Sequence, residues 1–179
     1  MITHEKKLQT LRSFIRRPRK SVLINSPTCS FMFEESNRKF AENLRFKMDQ
    51  NGYKRVLVTS VAENEGKSTI STNLALALSS MGKKVLIIDV DFRKPALYKI
   101  VERDRASVPD IISYIDGSSE IEDIICKFAR TGVDMVMNFG SRRDSASFIR
   151  SEKLKELLDY ADQHYDYVIL DSSPIIVST

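Results

Sequence analysis

The sequence predicts an α/β protein, a mostly parallel β-sheet flanked by helices, on three observations. Val85-Leu86-Ile87-Ile88-Asp89 and Tyr167-Val168-Ile169-Leu170-Asp171 are continuous apolar runs that end in carboxylates. Arg55-Val56-Leu57-Val58-Thr59 is a third such run, and a small polar loop joins it to the helical periodicity of residues 70–78. Strands covered on both faces read as unbroken apolar runs, and strands alternating with helices build a layered sheet whose carboxyl ends face the ligand crevice.

Residues 1–33 read as a basic leader or linker, with Pro18, Pro27 and the polar stretch 25–30 breaking any long element. Residues 34–50 read as a helix stopped by Asn51-Gly52. The first strand is expected over 54–60, its loop over 60–67, its helix over 67–81 and the second strand over 84–90. Residues 96–130 are expected to hold short helices, followed by a strand at 133–137 closed by Gly140. Residues 151–164 form a helix with Leu154, Leu157, Leu158 and Ala161 on one face and Ser151 as its N-cap. Tyr167–Asp171 is the last strand.

The 179 residues suit one domain with a sizeable core, and 42% hydrophobic with 29% charged residues is ordinary for a globular chain. No apolar run approaches the roughly 20 residues that span a bilayer. Cys29 and Cys126 lie far apart without metal-ligand spacing, which reads as reduced thiols in a cytosolic setting. The net charge of +4 is uneven: Lys6, Lys7, Arg12, Arg16, Arg17, Arg19 and Lys20 against Glu5 give the first twenty residues +6, leaving −2 for the rest. Such an arm suits anionic lipid or stays solvated, whereas the slightly acidic body argues against nucleic acid as a partner.

Glu65-Gly66-Lys67-Ser68-Thr69 sits at the junction of loop and helix, where backbone N–H groups and the positive helix end cradle phosphates. Val61 stands where the first glycine of G-x-x-x-x-G-K-[ST] belongs, and Asn64 stands where glycine is frequent, a position asparagine tolerates in left-handed backbone. The pattern is that of a P-loop NTPase. Asn64, Glu65, Gly66, Lys67, Ser68 and Thr69 would line the phosphates of a nucleoside triphosphate, with Arg93 steadying their charge. Lys67 would reach the β- and γ-phosphate oxygens. Ser68, Asp89, Asp91 and Asp171 are the candidate Mg²⁺ ligands. Lys67, Asp89 and Asp91 are the candidate catalytic residues; the aspartates, two apart at a strand end, are expected to point alike by pleat alternation and to orient water, bind metal or accept a proton.

With these elements in place, the sequence resembles the bacterial tyrosine autokinases (BY-kinases). Residues 59–69 match their Walker A motif, Val168-Ile169-Leu170-Asp171 their Walker B, and Asp89-Val90-Asp91-Phe92-Arg93-Lys94-Pro95 the D-x-D-x-R-x-P of their additional Walker A′ motif. The resemblance covers residues 34–179. It implies an Mg·ATP-dependent protein-tyrosine kinase that phosphorylates neighbouring copies of itself and regulates capsular or exopolysaccharide synthesis and export. It also implies a membrane-embedded polysaccharide co-polymerase as activator, and a peripheral location at the cytoplasmic face of the plasma membrane.

The departures are specific. The ring-forming E-x-x-R-x-x-R motif appears as Glu35-Ser36-Asn37-Arg38-Lys39-Phe40-Ala41, without its last arginine. Gly140–Ala146 replaces the family's proline-rich loop. The family's further strands and tyrosine cluster have no counterpart before Thr179, so the expectation is a kinase domain at 34–179 that is a fragment or a degenerate paralogue, with β-strand Val56 and its neighbours at an exposed edge. Two other readings stand beside the kinase: a non-catalytic adaptor of the export machinery, and a ParA/MinD-like switch ATPase. Ala62 lies where the switch class carries its second lysine.

Overall fold

Strand residues 85–89 are buried at every position because neighbouring side chains feed two different cores. Val85 and Ile87 pack into one apolar cluster, while Leu86 and Ile88 pack into the other. This pleat alternation between two covered faces explains why the sequence shows no polar alternation there. The computed structural model describes residues 22–102, 108–129, 131–142 and 144–176. The seven basic residues expected to form the leader's charge lie outside them.

The described elements, in chain order, are α1 (Phe31–Asn51), β1 (Arg55–Val58), α2 (Lys67–Ser80), β2 (Val85–Asp89), α3 (Leu97–Ile100), α4 (Ile111–Ile115), α5 (Ile121–Ile124), β3 (Ile125–Phe128), β4 (Val133–Val136), α6 (Ser145–Ile149), α7 (Glu152–His164) and β5 (Tyr167–Asp171). The sheet order is β1-β5-β2-β4-β3, parallel except for β3, which runs antiparallel to β4. One face is covered by α2 and α1 through Leu74, Leu78, Ala41 and Met48. The other is covered by α4, α5 and α7 through Ile111, Ile124, Leu154, Leu157 and Ala161. Residues 71–78 of α2 are all buried, as a helix sandwiched between sheet and α1 requires.

Local chemistry sets the boundaries. Ser30 caps α1 by accepting the Phe33 N–H, so the helix begins at Phe31, three residues before its expected start. Gly52, at φ 68°, closes α1 with its N–H on the carbonyls of Asp49 and Met48. The stretch before α1 is clipped to α2 by Asn73, which accepts the Ile24 N–H and donates to the Val22 carbonyl. Ser151 caps α7 as expected, its hydroxyl accepting the Leu154 N–H at 3.2 Å.

Two elements differ from expectation. The segment 96–130 is not only short helices, because Ile125–Phe128 forms β3. Four residues that follow the helical Ile121–Ile124 directly are too short for a period-2 signal to emerge. Helix α6 starts at the end of the Gly140–Ala146 stretch, where a loop is expected, and is capped by Asp144, which accepts the Ser147 N–H. The exposed-edge expectation matches β1: it pairs only with β5 among the described residues, and Leu57 is 58% exposed.

Candidate nucleotide site

The loop between β1 and α2 closes by two left-handed residues, Asn64 at φ 61° and Gly66 at φ 86°. Asparagine carries the first of these turns, and glycine permits the second at no side-chain cost. Gly66 is the N-cap of α2, so the free N–H groups of the first helical turn open toward the loop. Glu65 folds back across it, its Oε2 accepting the N–H groups of Val61 at 3.0 Å and Ala62 at 3.1 Å. From the other side, the chain after β5 runs along the loop. Ile175 and Ile176 donate to the carbonyls of Ser60 and Val61, and Thr59 Oγ1 donates to the Ser173 carbonyl.

Two strand ends deliver carboxylates beside this loop. Asp89 and Asp171 are register partners on β2 and β5, 0% and 1% exposed. Asp171 Oδ1 accepts the Ser71 hydroxyl at 3.2 Å, while its Oδ2 is buried without a hydrogen-bond partner. Burial pushes the Asp171 carboxyl up to about 6, against the pull of the Ser68 and Ser71 hydroxyls and the Lys67 ammonium. Asp89 lies well above the usual carboxylate range, first from burial and then from the charge of Asp171. Lys67, Ser68 and Asp91 thus act on the Asp171 carboxyl, and Asp171 and Asp91 act on that of Asp89.

The 89/91 pair is arranged differently from the expectation that both point alike by pleat alternation. Strand β2 ends at Asp89, and Asp91 belongs to a turn. Asp89 Oδ1 accepts the Asp91 N–H and its Oδ2 the Leu97 N–H, while Asp91 Oδ1 accepts the N–H groups of Arg93 and Lys94. Each carboxylate thus winds the backbone that follows it, as aspartates do in turns. Asn138 fastens this turn by donating to the Asp91 carbonyl. Arg93 is exposed and its Nε donates to Ser145 Oγ of α6, at 3.3 Å. The next residue reaches the phosphate loop instead: Lys94 Nζ lies 2.6 Å from Glu63 Oε2. Sequence reasoning missed Glu63, Ser71 and Asn138. Ser71, one turn beyond Ser68 on α2, carried the clearest signal.

The donors suit Mg²⁺. A hydroxyl and an orphaned, buried carboxylate oxygen are hard oxygen ligands, and Mg²⁺ is ordinarily held by one or two such groups together with phosphate. Among the described residues, no group of three His, Cys, Asp or Glu side chains is gathered to hold a metal by itself.

A phosphate cradle at a helix start, with carboxylates ending the two adjacent parallel strands, defines a P-loop NTPase domain. The AAA domain family model matches residues 57–178, and the chain belongs to that family. EpsB of Ralstonia nicotianae is 29% identical over 145 residues, covering 81% of this chain and 19% of EpsB. The tyrosine-protein kinase CpsD of Streptococcus agalactiae is 30% identical over 145 residues, covering 79% of this chain and 61% of CpsD. The crystal structure of the VpsO kinase domain superposes with a TM-score of 0.71 at 26% identity, covering 83% of this chain and 73% of that one. The chain thus spans about a fifth of the length of EpsB and about three fifths of CpsD. Among the described residues, no helix is long and apolar enough to cross a membrane.

Proposed function

We propose that residues 34–179 form the kinase domain of a protein-tyrosine autokinase that uses Mg·ATP and regulates capsular or exopolysaccharide synthesis and export. The observation that carries this reading is the Asp89–Asp91 turn beside Asp171, which an ordinary P-loop hydrolase lacks. The N–H groups around Gly66 and the first turn of α2 bind the phosphates, and Lys67 neutralises charge on the β- and γ-phosphoryl oxygens. Ser68 and the unpartnered Oδ2 of Asp171 hold Mg²⁺, which offsets the charge that develops on the phosphates when it is bound.

Asp89, with both oxygens on backbone N–H groups, is the residue that positions the turn. Asp91, whose hydrogen bonds fall on Oδ1, takes the proton of the attacking phenol. Arg93 positions α6 through Ser145 rather than contacting phosphate. The partners on this reading are other copies of the chain and a membrane-embedded co-polymerase that recruits the domain to the cytoplasmic face of the membrane. Ala62 in place of a switch lysine speaks against a partitioning ATPase.

Incubation with γ-labelled ATP separates the readings. Label on protein or peptide tyrosine that disappears in Lys67→Met and Asp91→Asn supports the kinase. Free phosphate alone supports a hydrolytic switch, and binding without turnover supports an adaptor.

A further inference from the structure

Six tyrosines are spread through the chain, and their surroundings differ in a way that singles out one. Tyr167, Tyr165 and Tyr114 donate their hydroxyls to the carboxylates of Asp49, Asp134 and Glu156. A phosphate on any of them would meet a carboxylate at contact distance. Tyr98 is 9% exposed. Tyr160 is half-buried within α7, its ring stacked on His164 with centroids 4.0 Å apart. Tyr53 is 63% exposed. It lies in the non-helical link that follows the left-handed Gly52, between α1 and β1, where a kinase site can take the chain without unwinding a helix.

Tyr53 also borders a cleft of about 280 Å³ with Asp49, Lys54, Lys83, Asp166 and Tyr167. Its four charged groups differ in availability. Asp49 accepts the Tyr167 hydroxyl, Asp166 accepts the Lys84 N–H, and the Lys54 ammonium donates to the carbonyls of Asp162 and Tyr165. Among the described residues, the Lys83 ammonium has no ion-pair or hydrogen-bond partner, so it is the group free to receive a dianion.

We propose that Tyr53 is a phosphoacceptor of this chain, modified in trans by a second copy, with Lys83 pairing with the phosphate; this rests on the kinase reading above. The trans route follows from topology. Tyr53 precedes the first residue of β1 and the phosphate loop follows its last, a separation of about 20 Å along a rigid strand. In the step, a bond forms between Tyr53 Oη and the γ-phosphorus as the bond from that phosphorus to the β,γ-bridging oxygen breaks. ADP departs, and the phenolic proton passes to Asp91 of the donor copy.

The test mixes wild-type chain with a Lys67→Met acceptor and γ-labelled ATP, maps the labelled peptides, and includes a poly(Glu,Tyr) copolymer as an outside substrate. Expected is label in the acceptor's Tyr53 peptide, lost in Lys67→Met/Tyr53→Phe, with a specific rate that rises with wild-type concentration. Lys83→Ala should leave copolymer labelling unchanged while the phosphorylated acceptor loses the rise in melting temperature that pairing confers. Copolymer or other chain tyrosines labelled without Tyr53 would overturn the proposal and leave the kinase reading standing. No label on any tyrosine, copolymer included, would remove both.

Discussion

Asp89 and Asp171 face each other as register partners on the adjacent strands β2 and β5, both nearly inaccessible, and the charge of Asp171 raises the cost of ionising Asp89. A buried carboxylate pair at the strand ends is unfavourable for the fold, and a divalent cation held there would offset that cost. The Asp171 carboxyl rises from 3.8 in the unfolded chain to about 6 in the fold. The protonated form is thus the one the fold prefers: its contribution is full below pH 3.8, is lost as pH climbs toward 6, and is absent at neutral pH.

Asp171→Asn should therefore stabilise the nucleotide-free protein at pH 7.5 by up to about 3 kcal/mol, because the amide needs no ionisation. The gain should vanish near pH 4. The same variant should lose the Mg²⁺ dependence of nucleotide binding. Urea midpoints at the two pH values, with ADP titrations with and without Mg²⁺, check both halves.

Glu65 holds the N–H groups of Val61 and Ala62 and so fixes the loop before nucleotide arrives. Glu65→Ala should weaken ADP binding about three- to tenfold, since the loop's ordering then falls to the binding step. Glu65→Gln keeps one acceptor oxygen and should stay within about twofold of wild type, as one hydrogen bond is worth about 1 kcal/mol or less at an exposed site. Calorimetric titration distinguishes this from a simple charge effect, in which both variants would tighten binding together.

The Lys94–Glu63 ion pair bridges the Asp89–Pro95 turn to the phosphate loop with the lysine side chain 70% exposed. Such a pair contributes about 0–1 kcal/mol to stability. Glu63→Gln should leave the unfolding midpoint nearly unchanged and yet strengthen ATP binding several-fold at low salt, because Lys94 is released and one negative charge leaves the loop. At 0.3 M salt, where screening shortens the reach of exposed charges, most of that gain should disappear.

The strands and the phosphate loop were legible because their signals are local. Continuous apolar runs ending in Asp89 and Asp171, the Gly66-Lys67-Ser68 junction, the Ser151 cap and the left-handed Asn64 all follow from neighbouring residues. What escaped depends on residues far apart in the chain. Arg93 meets Ser145 fifty-two positions away, and Ser71 meets Asp171 at a separation of one hundred. The Asp91 turn escaped for another reason: pleat alternation holds only to the end of β2 at Asp89, and two residues on, side-chain capping rules instead. Strand β3 is defined by the edge of β4 that it covers, and four residues carry too little pattern to announce it.

Tyr167 ties the start of β5 to the end of α1 through its hydrogen bond to Asp49. Burial, then that bond and the charge of Asp49, push its phenol from 10 up to about 12. The fold thus prefers the protonated phenol, so this contribution is complete below pH 10 and is lost as pH rises from 10 to about 12. Tyr114 is also raised to about 12 and acts in the same direction. Tyr167→Phe should lower stability at pH 8, where the hydrogen bond is lost, by about 1 kcal/mol. It should also flatten the alkaline decline, so that the two proteins converge near pH 11.5. Urea midpoints taken from pH 8 to 11.5 measure the convergence. Parallel declines would mean that the Tyr167–Asp49 link contributes nothing to alkaline unfolding.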